Sequence, residues 1–295
     1  MRFDVVIIGG GPGGLQAALT LGRARRRVLL CDAGERRNAR AVHVQNFVTR
    51  DGTPPDEFRG IARAQLAAYP NVEIADARVE AVEGARGSFR VQLPSGTVEA
   101  RRVLLAVGMV DELLPIEGFR ELWGHAIFQC PYCHGWEVRD RRWGFLAQSH
   151  AAAHAVPFAR MIRTLASEVT VFTNAAVELD APQLESAGIR VETAPIARLV
   201  RSGERLDAVE LAGGTRVPTD VLFTQPPQRQ LPLVTRLGLA LDADGFVAID
   251  PMKRETSVPG VYAAGDLATK AQAAVFAAAA GMQAAAAINL DLAMD

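Results

Sequence analysis

The spacing of apolar and polar positions predicts a strand, a helix and a second strand at the start of the chain. Residues 3–8 are an apolar, β-branched run that ends in glycines. Residues 15–23 have the pattern of a helix, and residues 28–31 form a second apolar run that closes with Asp32. This order is typical of the first βαβ unit of a doubly wound sheet.

The same order returns about 140 residues later, in a strand at 143–147, a helix at 151–165 and a strand at 169–173. The chain is therefore predicted to be an α/β protein with two Rossmann-like, three-layer ββα domains. Residues 72–105 alternate short strands with turns, which predicts a small antiparallel flap, able to hold the adenine end of a nucleotide, before a strand at 103–107.

Proline and glycine clusters mark where the chain crosses between the two domains. Pro115, Gly118 and Gly124 mark the first crossing, and prolines within residues 226–232 mark the second. A strand at 260–266 and a long alanine-rich helix then close the chain. We therefore expect the second domain to be inserted in the first.

Composition argues against several kinds of partner. With 49% hydrophobic residues, 22% charged residues and a formal net charge of -1, the chain lacks the positive charge that binds nucleic acid or an anionic membrane. Arginines at 23–27 and at Arg36, Arg37 and Arg40 are interpreted as a solvated face. We find no signal peptide, interpret residues 271–287 as a packed helix rather than a membrane span, and expect a cytoplasmic protein.

The glycines after the first strand match a dinucleotide fingerprint. Gly9, Gly11 and Gly14 have the spacing GxGxxG between a strand and a helix. Gly9 permits the tight turn, Gly11 lets the backbone approach a pyrophosphate, and Gly14 lets helix and strand pack closely. The helix N-terminus offers N–H groups to the phosphates. Asp32 follows the second strand, where a carboxylate can accept hydrogen bonds from a ribose.

The other end of the chain favours FAD over NAD as the dinucleotide. Gly265 and Asp266 follow an apolar strand and resemble the motif by which many two-dinucleotide flavoproteins hold the ribityl chain. A helix beginning near Gln272 and Ala273 would point its N-terminus at the flavin pyrimidine ring, where negative charge accumulates on reduction. Gly108 ends an Ala-Val-Gly turn where such proteins commonly have Ala-Thr-Gly.

The CxxC motif indicates redox or metal chemistry, because three cysteines without export signals do not make a structural disulfide framework. Cys130 and Cys133 start a predicted helical turn, where they can form a disulfide and the helix dipole lowers the pKa of the nearer thiol. His134 follows and can shuttle the proton that thiol exchange moves near neutral pH. Cys31 is interpreted as a small core residue.

A zinc site is the competing interpretation of the same cysteines. Cys130, Cys133, His150 and His154 come within one residue of a Cys2His2 finger spacing. A finger closing here would disrupt the strand at 143–147, so we expect no metal site.

These motifs together resemble the low-molecular-weight thioredoxin reductase family over nearly the whole chain. The resemblance rests on the N-terminal fingerprint, residues 43–47 with Asn46 placed for the flavin, the inserted CxxC and the terminal Gly-Asp. It implies a homodimer, an FAD-binding domain formed by residues 1–113 and 228–295, and an NAD(P)H-domain-like module over residues 114–227.

The resemblance also implies different roles for the two cysteines. In that family the second cysteine abuts the flavin and the first exchanges with substrate, which implies these roles for Cys133 and Cys130. Family members usually carry an Asp after the second cysteine, where this chain has His134. A CxxC followed by His-Gly is similar to the branch of fungal and bacterial dithiol oxidases that close disulfides in natural products such as gliotoxin and holomycin.

The nicotinamide site of that family is damaged in this sequence. Where the reductases carry GxGxxA, residues 147–152 read Ala-Gln-Ser-His-Ala-Ala, so Cβ atoms at Ala147 and Ser149 intrude on the turn and on the approach to a pyrophosphate. Residues 172–176 also lack the basic cluster that clasps the 2′-phosphate. NADPH binding is therefore predicted to be poor.

The sequence is compatible with three functions. The first is an FAD-dependent dithiol oxidase that passes electrons to oxygen and releases hydrogen peroxide. The second is a thioredoxin reductase-like disulfide reductase driven by NAD(P)H or ferredoxin, and the third is a redox-inert flavoprotein that serves as a binding or sensor module. The substrate is a small dithiol or a thioredoxin-like protein. Trp123, Tyr132 and Trp136 form either an aromatic wall near the disulfide or ordinary core.

Overall fold

A computed structural model describes all 295 residues of the chain. The chain divides into two compact units. The first unit consists of Met1–Val110 and Arg229–Asp295, and the inserted unit of Asp111–Gln228. These boundaries differ from the predicted ones by three residues or fewer.

Seventeen strands and eight α-helices make up the chain. The strands are β1 (Arg2–Ile8), β2 (Val28–Cys31), β3 (Val72–Ala75), β4 (Ala81–Glu83), β5 (Phe89–Leu93), β6 (Gly96–Leu105), β7 (Val110–Asp111), β8 (Ile127–Phe128), β9 (Arg142–Leu146), β10 (Glu168–Phe172), β11 (Ile189–Glu192), β12 (Ile196–Ser202), β13 (Arg205–Leu211), β14 (Arg216–Pro218), β15 (Val221–Phe223), β16 (Gln228–Arg229) and β17 (Val261–Ala263). The helices are α1 (Pro12–Arg23), α2 (Pro55–Leu66), α3 (Phe119–Leu122), α4 (Pro131–His134), α5 (Ala152–Ile162), α6 (Ala181–Glu185), α7 (Pro232–Arg236) and α8 (Ala274–Ala293).

The first unit is built on a seven-stranded sheet in the order β3-β2-β1-β6-β5-β4, with β17 also paired to β6. β4 and β5 form the antiparallel flap with the start of β6, which continues as the predicted core strand. The expectation that the flap begins at residue 72 is wrong. β3 pairs in parallel with β2, since the connection between them contains the crossover helix α2, and Val72 and Ile74 pack on the helix-covered face of the sheet.

Side chains of β1 alternate between two cores. Val5 and Ile7 pack with α1 and α8 on one face, and Val6 and Ile8 pack on the other face with the flap and residues 233–247. A parallel strand covered on both faces is apolar throughout, which explains the continuous run in the sequence. The first unit therefore has the predicted three layers.

Helix α8 lies directly against α1 at a glycine crossing. A Cβ on Gly281 would collide with the carbonyl oxygen of Gly13, and a Cβ on Gly13 would lie 3.1 Å from the carbonyl oxygen of Ala277. This contact places the first turns of α1 and α8 beside each other. By length and apolar composition alone α8 could cross a membrane. Its residues Ala284 and Ile288 are buried in the core of the first unit.

The far end of α8 is fixed by a buried arginine of β6. Arg102 is fully buried, forms an ion pair with Asp291, and donates to Asp295 Oδ2 at 2.8 Å. The hydroxyl of Tyr262 in β17 donates to Asp291 Oδ2 at 2.8 Å. Breaking a buried ion pair by removing one partner typically costs about 3–5 kcal/mol. This network therefore holds α8 in one position along the sheet.

The inserted unit repeats the three layers. Its five-stranded sheet has the order β11-β10-β9-β15-β8, and every pair in it is parallel. Trp143 and Phe145 of β9 pack with α5 on one face, whereas Leu146 packs toward the antiparallel sheet β12-β13-β14. The predicted fold, two three-layer α/β domains with the second inserted in the first, is confirmed.

Candidate active site

The glycine-rich turn after β1 has the geometry that its sequence predicts. Gly9 adopts a φ of 111°, which favours glycine, and a Cβ there would collide with the carbonyl oxygen of Ala106. A Cβ on Gly14 would collide with the carbonyl oxygen of Gly9. Gly11 differs, because it caps α1 with an ordinary φ of -78° and a Cβ on it meets no atom within 4 Å. Open space therefore lies in front of Gly11, where α1 begins.

Four predicted segments meet at one edge of the first unit's sheet. Gly9, Asp32, Ala106 and Ala264 directly follow the ends of β1, β2, β6 and β17. These strands are parallel and their ends are in register. Nucleotides in open α/β sheets bind at the carboxyl ends of the strands. The fingerprint, the ribose carboxylate, the turn after β6 and the terminal Gly-Asp motif therefore share one edge.

The carboxylate of Asp32 is buried and held on both oxygens. Oδ1 accepts a hydrogen bond of 3.0 Å from the backbone N–H of Gly34, and Oδ2 forms an ion pair with Arg59. Arg59 also lies 3.4 Å from the carbonyl oxygen of Gly10, which joins the carboxylate to the fingerprint turn. No local motif marks Arg59 in the sequence, because its partners lie on other elements.

The residues at this edge fit the parts of FAD. Gly11 and the first turn of α1 leave room and N–H groups for a diphosphate, and Asp32 offers a fixed acceptor to a ribose. Gly108 and Gly265 adopt φ values of 70° and 90°, and a Cβ on Gly108 would meet no atom within 4 Å. Backbone at these two turns can therefore approach a ligand closely.

An arginine distant in sequence binds the Gly265-Asp266 motif. Arg37 Nη1 lies 2.9 Å from Asp266 Oδ2 and 2.6 Å from Gln272 Oε1. The interpretation of Arg37 as part of a solvated face is wrong, since its side chain is only 16% exposed. The helix expected from near Gln272 begins at Ala274, with Ala273 as its N-cap. Gln272 therefore precedes the helix and its side chain binds Arg37 instead.

Asn46 lies in a turn of the first unit. It adopts a left-handed φ of 59° and donates its backbone N–H to Asp51 Oδ1 at 2.6 Å. Its neighbour Phe47 packs edge-on against Phe58, with ring centroids 5.1 Å apart. The side chain of Asn46 is exposed. Its role toward a flavin stays a prediction.

Cys130 and Cys133 form a disulfide in the inserted unit, with Cα atoms 5.3 Å apart. Cys130 is the extended N-cap of α4, and Pro131 occupies the first helical turn, where its missing N–H costs nothing. The backbone N–H of Cys133 donates to the carbonyl oxygen of Cys130 at 3.2 Å. The two sulfurs are bonded to each other, and no group of three or more His, Cys, Asp or Glu residues that could hold a metal ion is found in the structure.

His134 ends α4 beside the disulfide. Its ring stacks on Phe128, with centroids 4.3 Å apart and planes at 16°. Burial lowers the pKa of the His134 imidazole, and the charge of Glu137 and the carbonyl of Cys130 oppose this shift. Its Nδ1 is buried and has no hydrogen-bond partner. The ring is therefore neutral at pH 7 and has one nitrogen that the fold does not use.

The three aromatic residues predicted to lie near the disulfide separate into two groups. Trp123 stacks on Phe119, with centroids 5.9 Å apart, and packs against a core cluster. Tyr132 and Trp136 are 70% and 66% exposed. Trp123 thus belongs to the packing of the inserted unit, whereas Tyr132 and Trp136 present aromatic surface on either side of Cys133 in sequence.

The turn after β9 follows a different path from the glycine turn after β1. Residues 147–152 contain no residue with positive φ, and Ser149–Ala151 form a 3-10 turn. Ala147 is buried, and Gln148 Nε2 lies 3.4 Å from Oγ1 of Thr224, which follows the neighbouring strand β15. After β10, Asn174 accepts a 2.7 Å hydrogen bond from the backbone N–H of Ile196. Neither segment has the form of a nucleotide cradle.

A family model for pyridine nucleotide-disulphide oxidoreductases matches residues 3–284. The chain belongs to this family. Membership of this family implies a flavin cofactor. The relatives are thioredoxin reductase-like enzymes, so the chain is an enzyme of the disulfide oxidoreductase class.

Solved and curated relatives cover nearly the whole chain. An oxidoreductase from Agrobacterium tumefaciens is 40% identical, covers 100% of this chain and 99% of its own, and superposes with a TM-score of 0.92. The crystal structure of HlmI is 38% identical over 99% of this chain and 93% of its own, with a TM-score of 0.89. Thioredoxin reductase sirT from Leptosphaeria maculans is 32% identical over 97% of this chain and 93% of that protein.

Proposed function

We propose that this family member is an FAD-dependent dithiol oxidase. One observation carries the direction of electron flow: the flavin edge of the first unit keeps its glycines, whereas the turn after β9 has lost both its glycines and their backbone path. A flavin enzyme with a redox disulfide and no nicotinamide cradle can instead be reduced by a dithiol substrate through thiol–disulfide exchange.

Residues of the first unit would hold FAD through its polar groups. Gly11 and α1 would hold the diphosphate, Asp32 a ribose, and Asp266 the ribityl chain. When bound there, FAD would supply the two-electron redox chemistry that links the reduced cysteine pair to oxygen, with hydrogen peroxide as the product.

The cysteine pair performs the exchange with substrate. One thiolate of a dithiol attacks Cys130 Sγ, the Cys130–Cys133 bond breaks, and Cys133 leaves as a thiolate. The second substrate thiolate then attacks the substrate sulfur of the mixed disulfide, which closes the substrate disulfide and frees Cys130. The substrate has lost two electrons and two protons, and the cysteine pair has gained the electrons. The same steps in reverse describe a disulfide reductase.

His134 would take up a proton that the exchange releases. Its neutral imidazole has an unpartnered Nδ1 and lies directly after Cys133. A neutral base of this kind accepts the proton of a thiol as it becomes a thiolate. Burial keeps the ring neutral to a lower pH than an exposed histidine.

The lowered pKa of His134 predicts a specific pH dependence. In the pH profile of kcat/KM with a dithiol, the acid limb assigned to His134 should lie below pH 6.5, the ordinary pKa of histidine. His134→Asn should remove this limb and lower kcat/KM by about 100-fold.

The same lowered pKa predicts how stability depends on pH. The folded state binds fewer protons than the unfolded state below pH 6.5, so stability falls on acidification. His134→Asn should therefore lose less Tm than wild type between pH 7.5 and 5.5, values chosen about one unit either side of the ordinary pKa.

Equal acid sensitivity and an unchanged acid limb in the His134→Asn variant would show that this imidazole neither moves the proton nor stays neutral in the fold. His154→Asn is the matched control, since that exposed histidine of α5 has no part in the exchange.

A reductase is the second candidate, and the names of relatives favour it. Curated relatives are named thioredoxin reductase, and one from Granulibacter bethesdensis is named ferredoxin--NADP reductase, 29% identical over 90% of this chain. A small dithiol or a thioredoxin-like protein is the substrate in either direction. Anaerobic mixing of the oxidised protein with a dithiol and, separately, with a nicotinamide tests the proposal, because rapid reduction of the flavin by the nicotinamide is expected only of a reductase driven by NAD(P)H.

The exposed Tyr132 and Trp136 support a substrate site on the CxxC turn. Exposed aromatic surface beside a reactive group offers contact area to an apolar substrate. Assembly as a homodimer and location in the cytoplasm stay predictions.

A further inference from the structure

Three side chains distant in sequence form a ring at the start of α8. Arg37 Nη1 donates to Asp266 Oδ2 at 2.9 Å and to Gln272 Oε1 at 2.6 Å. Gln272 Nε2 in turn lies 3.3 Å from the backbone carbonyl oxygen of Asp266. The ring ties the loop after β2 to the segment between β17 and α8. Of these two acceptors, Asp266 is the residue that the proposed function places at the ribityl chain, and Gln272 lies two residues before the start of α8.

The position of this arginine is unfavourable for the helix alone. The N-terminus of α8 carries the partial positive charge of its dipole, has no side-chain cap and has no acidic residue in its first turn. The guanidinium of Arg37 adds a positive charge near this end, next to the carboxylate of Asp266. Replacing Arg37 by a neutral residue would therefore remove one positive charge from a place where a ligand group that gains negative charge would be stabilised by it.

Arg37 differs from its neighbour in this respect. Arg36 also forms an ion pair, with Asp56 at the start of α2, but the side chain of Asp56 is 78% exposed. Both Arg37 and Asp266 are less than a quarter exposed, at 16% and 23%. Charge interactions in the less solvated place are screened less and act more strongly on a ligand.

We propose that Arg37 is a positioning residue that sets the affinity for FAD and its reduction potential. This inference rests on the proposed function, because it needs FAD at the edge formed by Asp266 and Gln272. The guanidinium holds both acceptors in place and supplies a fixed positive charge at the end of the flavin where negative charge accumulates on reduction. Reduced flavin is then favoured over oxidised flavin.

The test is the flavin midpoint potential in full-length protein that carries Cys130→Ser and Cys133→Ser, so that only the flavin titrates. In Arg37→Gln the ratio of reduced to oxidised flavin at a given potential should fall about tenfold. The midpoint potential should therefore be lower by about 30 mV for this two-electron couple. FAD affinity should fall about tenfold, because the charge-assisted hydrogen bonds by which Arg37 holds Asp266 and Gln272 in place are lost. Arg37→Lys keeps the positive charge but lacks the two-pronged guanidinium that reaches both acceptors. It should therefore bind FAD more weakly, with a nearly unchanged flavin midpoint potential.

Arg36→Gln is the matched control and should leave the FAD affinity and the potential unchanged. Weakened FAD binding with an unchanged potential in Arg37→Gln would overturn the inference, because it is the result of a purely structural role. If Arg37→Gln retains no FAD, the Arg37→Lys variant decides the question. This variant keeps the positive charge, so a flavin midpoint potential lowered by the full amount expected for loss of that charge would also overturn the inference. Failure of the unsubstituted Arg37 protein to bind FAD would instead overturn the proposed function.

Discussion

Replacing Cys130 or Cys133 by serine is expected to lower dithiol turnover by about 10³-fold or more, because each sulfur is either the attacked atom or the leaving group of the exchange. The two cysteines are joined in one disulfide, so neither single variant can form the reactive bond. The loss should appear in kcat under saturating dithiol, while the flavin content stays that of wild type.

Cys31→Ala is the matched control for this loss. Cys31 is the free cysteine of the chain, is buried in β2, and burial raises the pKa of its thiol to about 12. A thiol of this kind is not a thiolate at neutral pH and takes no part in exchange. Turnover should be retained in Cys31→Ala. A Cys130→Ser protein that kept full turnover would contradict the exchange, because it would show that dithiol oxidation does not pass through the Cys130–Cys133 disulfide.

Replacing Gly11 by aspartate is expected to abolish FAD binding without unfolding the protein. Gly11 is the N-cap of α1, has an ordinary φ of -78°, and has open space where a side chain would lie. Aspartate is a favoured N-cap, so α1 should keep its stability. Its carboxylate would take the N–H groups meant for a diphosphate and repel the phosphates, which should weaken FAD binding by about 10³-fold, or about 4 kcal/mol.

Gly14→Ala, unlike Gly11→Asp, should lower the stability of the protein. A Cβ at Gly14 collides with the carbonyl oxygen of Gly9, so the packing of α1 on β1 must shift, at a cost of about 1–3 kcal/mol in stability. Circular dichroism, thermal melting and the flavin absorbance of the purified proteins separate the two effects. A Gly11→Asp protein that is purified yellow, with full FAD content, would place the diphosphate elsewhere.

The flavin edge of the first unit was predictable because its signals are local. Gly9 must adopt a left-handed φ, Gly14 must touch backbone, and Asp32 directly follows a buried strand. Each of these requirements restricts the residue type at one position. The order of strands and helices then brings the separate motifs to one sheet edge without further information from the sequence.

Contacts between distant side chains were not predictable from the same signals. Arg37 binds a carboxylate 229 residues away and Arg59 one 27 residues away. An arginine in a polar run has the same local pattern whether it is solvated or paired. The wrong assignment of residues 72–75 has a similar cause, because a run of four residues suits either a flap or an edge strand of the parallel sheet.

The damaged second turn lies between these cases. The loss of glycines at 147–149 could be seen in the sequence, and it correctly indicated that the turn is not a copy of the one after β1. Its replacement by a 3-10 turn, with the Gln148 side chain reaching Thr224, depends on packing that no motif records.

Anaerobic stopped-flow absorbance of the flavin band tests the direction of electron flow most directly. The purified oxidised protein is mixed with a small dithiol in one reaction and with NADPH or NADH in others. The proposed oxidase should show rapid bleaching with the dithiol and no comparable bleaching with either nicotinamide. Rapid bleaching by NADPH or NADH would contradict the account, because it would show that the turn after β9 binds a nicotinamide nucleotide and that the enzyme is a reductase.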